Sequence, residues 1–287
     1  MKRIISALLM CIILTSCAQN IPAASPENVE DTEGISDDTR DTGTPSIAKT
    51  DNAETYNVET EEEKKPFSAE EYFSNTLFIG DSVVSGLKIY TLAQRKIEPT
   101  LPGARFLETQ EGVSVSDLTG SGGNGVSYTY KGVAAPFDEI LTKLNGDKPI
   151  GRIFIMLGNN DLAFMTKGDV QDIVNDYGDL LRIINRTLPD TEVIVMLNTP
   201  RGESNYCPNY VVNKGFNVTL LNNYVECLRN MCEEDGVKYI DVHTPFLSAK
   251  GGMTSEYCSD NYIHLTTAGA EKLVSLINEF AESDGTK

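Results

Sequence analysis

The chain has 287 residues, 40% of them hydrophobic, which is enough for one large α/β domain or two small ones with a sizeable core. Forty-two acidic residues stand against 24 basic ones, giving a formal charge of -18, and no Lys/Arg-rich stripe breaks the acidity. A nucleic-acid backbone would be repelled, so no nucleic-acid partner is expected.

Lys2 and Arg3 precede an apolar run over residues 4–14, the length of a secretory signal core and too short to span a bilayer. The run ends in Leu14-Thr15-Ser16-Cys17, which resembles the bacterial lipoprotein signal. That resemblance implies cleavage after residue 16, lipidation of Cys17, and attachment to a membrane at the cell surface or in the periplasm. Residues 18–65 carry thirteen acids and four bases among Ser, Thr and Pro, with almost no periodic apolar positions. Such a segment cannot bury enough surface to offset its ordering entropy. As a flexible coil it would reach roughly 40 Å, so residues 17–65 are expected to form a lipid-anchored acidic tether.

Ser68-Ala69-Glu70-Glu71 has the form of a capping box, and a single domain is expected over residues 66–287. Short apolar runs at 76–79, 105–107, 152–157, 192–197 and 237–242 read as strands. Apolar positions at helical spacing mark helices over 137–144, 170–187, 216–234 and 267–282. Near-continuous apolar strands alternating with helices predict a parallel sheet of about five strands covered on both faces. Ligands of such sheets bind beyond the carboxyl ends of the strands.

Three motifs fall at those ends. The first strand runs into Gly80-Asp81-Ser82, where a serine in a strand-to-helix turn can meet a base while nearby N–H groups face a developing oxyanion; a helix-capping Ser is the plainer role. The third strand ends in Gly158-Asn159-Asn160-Asp161, whose amides could donate to an oxyanion or simply build a turn. Asp260-Asn261-Tyr262-Ile263-His264 places an imidazole just before the last helix. The only other histidine, His243, lies in a strand-like run.

The ordered set Gly80-Asp81-Ser82, Gly112, Gly158-Asn159-Asn160-Asp161 and His264 resembles the SGNH (GDSL-type) hydrolases over residues 74–283. The resemblance implies a flavodoxin-like three-layer α/β/α fold and ester hydrolysis with neither metal nor other cofactor. It assigns Ser82 as nucleophile and His264 as base. The oxyanion donors it implies are the Ser82 N–H, the Gly112 N–H and the Asn160 side chain, Gly112 being the loosest match. The family places an Asp three residues before the base, but here Asn261 holds that position and Asp260 stands one residue further back. Asp260 is the favoured orienter because a carboxylate gains more from the imidazolium formed in catalysis, provided the loop bends to re-aim it; Asn261 is the alternative.

The run from Gly120 to Gly125 admits a rival reading as a phosphate cradle, but it lacks the Gly-Lys-Ser/Thr ending and a preceding strand. Cys227 and Cys232 are five apart on a predicted helix and face different directions, which suits core packing. Cys207 and Cys258 fall at the rim of the site, where a disulfide and two free thiols both fit an exported protein. The function expected is a tethered serine esterase removing acyl groups, foremost acetyl, from carbohydrate or cell-wall glycan, or from a small ester. The alternatives are an O-acyltransferase using the same serine and a non-catalytic glycan-binding module.

Overall fold

The computed structural model describes residues 66–107, 112–123, 125–165 and 168–286. The expected export signal, Cys17 and the expected tether lie outside the described residues. Among those described, no helix is long and apolar enough to cross a membrane. The capping motif opens a helix as expected: the Ser68 side chain accepts the Glu71 N–H at 3.4 Å and begins α1, Ala69–Ser74.

Five parallel strands form the main sheet: β1 (Thr76–Gly80), β2 (Arg105–Phe106), β5 (Arg152–Met156), β6 (Glu192–Met196) and β7 (Lys238–Ile240). Their order is β2-β1-β5-β6-β7, with Gly80 opposite Met156 at the carboxyl end of the central pair. The strands β3 (Thr129–Tyr130) and β4 (Val133–Ala134) make a separate hairpin too short to show in the hydrophobic pattern. All five residues of β1 are buried, as a strand covered on both faces requires. Phe78 stacks on Phe106 and on Phe154 with ring centroids 5.0 Å apart, tying β2, β1 and β5 through one aromatic row.

The connections are α2 (Ser82–Gln94), α3 (Val115–Thr119), α4 (Phe137–Asp147), α5 (Asn159–Phe164), α6 (Val170–Thr187), α7 (Val218–Glu234) and α8 (Thr267–Gly285). From β1 the chain crosses through α2 to one neighbour, β2, whereas β5, β6 and β7 follow one another on the other side. Because such crossovers share one hand, reversing direction puts the helices on opposite faces of the sheet. Accordingly α1 and α2 pack with α8, while α3, α4 and α7 pack with α6. This is a three-layer α/β/α fold with the flavodoxin-type strand order, and its switch point lies between β1 and β5, the crevice where such sheets take ligands.

Two expectations are adjusted. The strand expected over 237–242 ends at Ile240, because Asp241 turns the chain by accepting the N–H groups of His243 and Thr244, both at 2.9 Å. His243 therefore begins a 3-10 turn, Thr244–Phe246, instead of lying in a strand. Also, Asn159–Asn160–Asp161 is not merely a turn but the first stretch of α5.

Candidate active site

Ser82 follows the buried end of β1 and is the first residue of α2, with Asp81 as N-cap. No side chain fits at Gly80: a Cβ there would stand 2.1 Å from Val84 Cγ2 and 2.8 Å from the Met156 carbonyl oxygen. The turn is thereby drawn tight against β5. At the first helical position the Ser82 N–H has no intrahelical acceptor, and it faces the pole of the helix that favours negative charge.

His264 arrives from the far end of the chain. Its Nε2 lies 2.9 Å from Ser82 Oγ and its Nδ1 lies 2.6 Å from Asp260 Oδ2. The carboxylate in contact with the ring is thus that of Asp260, and the loop bends as that contact demands. Asn261 adopts a left-handed φ of 58°, which turns the chain so that Asp260 and His264 face each other, and its own side chain stands exposed. Asp260 Oδ1 accepts three successive backbone N–H groups, from Tyr262 at 2.9 Å, Ile263 at 3.1 Å and His264 at 3.2 Å. Burial alone would raise the Asp260 carboxyl, but the His264 ring and these N–H groups outweigh it and hold the group at about 2. It is a fixed negative charge at every working pH.

Asn160, in the first turn of α5 after β5, is almost wholly buried. Its Nδ2 donates to the Val113 carbonyl at 2.8 Å, which brings the amide beside Gly112, whose φ is 86°. An amide nitrogen carries two hydrogens, so this bond orients Asn160 and leaves a second donor. Asp161 fastens the same loop: its carboxylate accepts the N–H groups of Val115 at 2.9 Å and Ser116 at 3.1 Å, the opening residues of α3. Gly158, at a φ of 115°, leaves the space that the Tyr224 phenol fills; a Cβ there would stand 2.2 Å from its oxygen. Beside Asn160 lies a cavity of about 420 Å³ walled in part by Ser114, Ser116, Asp161, Asp172 and Asp176. Its acidity disfavours anionic groups.

The remaining sequence expectations divide. His243 is buried with Nδ1 2.7 Å from the Asn198 carbonyl oxygen, a structural placement apart from Ser82. Burial pushes its imidazole below the ordinary histidine range. The glycine-rich run makes no phosphate cradle: Asp117 Oδ1 takes the N–H groups of Gly125 at 2.7 Å and Val126 at 3.2 Å, so a carboxylate stands where the anion would. The Cys207–Cys258 disulfide is not formed in the structure. Both are free thiols, Cys258 directing its Sγ to Asp260 Oδ1 at 3.6 Å and Cys207 to the Pro208 carbonyl at 3.9 Å. Cys232 is buried, in keeping with core packing, and Cys227 is half-buried. No group of three or more His, Cys, Asp or Glu among the described residues is placed to hold a metal ion.

Sequence reasoning passed over Arg201. Its guanidinium is fully buried, donates to the Phe216 and Tyr206 carbonyls, and lies 4.8 Å and 5.1 Å from the ring centroids of Phe216 and Tyr262. It pins the segment after β6 to the loop carrying His264. A lone Arg after a strand gives no sequence signal of this, because its partners are carbonyls and rings distant along the chain.

A model of the GDSL-like lipase/acylhydrolase family matches residues 78–272, more than half of the chain. The chain belongs to this family. The match runs from β1 into α8 and so takes in the Ser82 turn, the β5 end and the His264 loop. Among solved structures, a GDSL-like lipase from Bacteroides thetaiotaomicron superposes with a TM-score of 0.54 at 12% identity, over 75% of this chain and 90% of that one. An acetyl xylan esterase superposes with a TM-score of 0.50 at 15% identity, over 71% of this chain and 98% of that one. At such identities the likeness is one of fold. No curated protein matches the sequence.

Proposed function

We propose that this GDSL acylhydrolase is a serine esterase, tethered to a membrane through lipidated Cys17, that removes acyl groups, foremost acetyl, from carbohydrate. The observation carrying the mechanism is the continuous line Asp260 Oδ2, His264 Nδ1 and Nε2, Ser82 Oγ, with separations of 2.6 and 2.9 Å. Both lie within the reach of proton transfer. Asp260 fixes the tautomer that leaves Nε2 free to accept. Ser82 Oγ attacks the ester carbonyl carbon as its proton passes to Nε2, and the carbonyl oxygen becomes the oxyanion of a tetrahedral intermediate. The Ser82 N–H, the Gly112 N–H and the second hydrogen of Asn160 are the donors that receive it. The intermediate collapses, the C–O bond to the alcohol breaks, and His264 returns the proton to the leaving alkoxide. Water then attacks the acyl-Ser82 ester with the same base, releasing the acid and restoring the serine.

Carbohydrate is favoured by the rim. Tyr206 and Tyr210 are 55% and 60% exposed, and the Tyr210 ring meets Tyr262, two residues before His264, edge to face at 6.3 Å between centroids. Flat rings with a polar edge suit the C–H face of a sugar. The acidic cavity beside Asn160 argues against anionic lipids. The name of the acetyl xylan esterase that shares the fold agrees with this reading. The test compares wild-type protein with Ser82→Ala on a small acetyl ester and on acetylated oligosaccharides, with and without a free sugar acceptor. Released acetate that vanishes in Ser82→Ala while the folded spectrum persists is expected. Turnover undiminished by the substitution would overturn the reading, and acetyl appearing on the acceptor instead of as acetate would make the protein a transferase.

A further inference from the structure

Ser82 and Asn160 are each preceded by a buried polar residue, and those two residues meet. Asp81 is completely buried and Asn159 almost so. Asn159 Nδ2 donates to Asp81 Oδ2 at 3.4 Å, while the Val83 N–H donates to Asp81 Oδ1 at 2.9 Å. Since β1 and β5 are adjacent, this contact joins the two turns one residue behind the atoms that face the substrate carbonyl.

Capping α2 does not by itself require a carboxylate. One oxygen suffices, and Ser, Thr or Asn would provide it. Burying a carboxylate with one good donor and one long one is unfavourable unless an opposite charge compensates. Desolvation pushes the Asp81 carboxyl up to about 6, against the Val83 N–H, the charge of His264 and the Asn159 amide. Asp161, on α5, acts in the opposite sense to His264. The phenols of Tyr128, Tyr177 and Tyr224 also stand around this region, but burial raises each well above its ordinary range and keeps it neutral. Tyr128 in addition donates to the Gly80 carbonyl at 2.8 Å, closing the turn from the other side.

We propose that Asp81 is a second, buried carboxylate that stabilises the His264 imidazolium as it takes the Ser82 proton, and that Asn159 holds Asp81 ionised and in place behind the nucleophile. Asp260 touches Nδ1 directly; Asp81 acts through space from the residue next to Ser82, whose Oγ is bonded to the other ring nitrogen. Both Asp81 and Asn159 are positioning residues. Their role in turnover rests on the serine-esterase reading, but their effect on the His264 ring does not require turnover.

That separation sets the test. The chain has two histidines, so the His264 imidazole can be titrated by NMR, with a His243→Gln variant to assign the other. Asp81→Asn keeps an oxygen for the Val83 N–H and removes the charge. It should lower the His264 pKa by on the order of one unit. On a small acetyl ester it should move the acid limb of kcat/KM to lower pH and lower kcat about tenfold with KM unchanged. Asn159→Ala should shift both in the same direction by less. If Asp81→Asn proves unstable, Asp81→Ser retains the cap and serves in its place. A His264 pKa unmoved in a folded Asp81 variant would overturn the proposal whatever the activity. Failure of the esterase reading shows separately, as turnover that survives Ser82→Ala.

Discussion

Replacing Asp260 by Asn changes one oxygen for an NH2 group, and the structure dictates which. Oδ1 accepts the N–H groups of Tyr262, Ile263 and His264, so the amide must keep its oxygen there or face three donors with a fourth. Its NH2 group then points at His264 Nδ1. A ring receiving a hydrogen bond at Nδ1 carries its own proton on Nε2, where it donates toward Ser82 Oγ instead of accepting. The proposed base is lost although every heavy atom stays within tenths of an ångström. The imidazolium also loses the charge 2.6 Å away that would stabilise it. By comparison with the same change in serine proteases, kcat should fall by about 10³ to 10⁴. Initial rates on a small acetyl ester between pH 5 and 9 measure this, with circular dichroism as the check of fold. Asn261→Gly, which removes the exposed side chain and tolerates the left-handed φ of 58°, should stay within about a factor of three at this substrate. Asp260→Asn activity within about tenfold of wild type, or a larger loss in Asn261→Gly, would refute the tautomer argument and return the ring's support to a backbone carbonyl or to Asn261. Because the folded Asp260 carboxyl lies at about 2, below the ordinary 3.8, its contribution to stability is present above about 4 and is lost as pH falls through 2.

Asn160→Ala removes the amide proposed as an oxyanion donor and should lower kcat by roughly 10² to 10³ with little change in KM; a change confined to KM would make Asn160 a binding residue instead. Buried His243 has a folded pKa below 6.5, so the unfolded chain takes up the proton first and stability is full above about 6.5 and declines as pH falls through the folded value. Urea midpoints at several pH values should show that decline, and His243→Gln should remove it. Asp81, raised to about 6, works in the opposite sense between about 4 and 6, so the comparison is between wild type and variant at each pH. Tyr210→Ala should raise KM several-fold for an acetylated oligosaccharide and leave a small acetyl ester unaffected, since only the larger substrate reaches the rim; equal effects on both would place Tyr210 in the scaffold.

The sequence by itself determined the sheet, because a strand covered on both faces must be apolar throughout and a parallel crossover must contain a helix. The runs at 76–79 and 152–157 are legible as strands for that reason, and the positions of Ser82, Asn160 and His264 at strand or helix boundaries follow from the same pattern. What it left open was set by contacts between residues far apart in the chain. Whether Asp260 or Asn261 faces His264 depends on a positive φ at Asn261, and that bend is held by the Asp260 carboxylate capping three N–H groups and by the close approach of Gly202, where a Cβ would stand 2.5 Å from the Asn261 carbonyl oxygen. The Asp81–Asn159 contact spans 78 residues of chain and exists because β1 and β5 are neighbours, an adjacency that local periodicity does not encode. Hydrophobic periodicity reports what each segment buries. Which polar groups then share the crevice is decided only when strand order brings β1 beside β5.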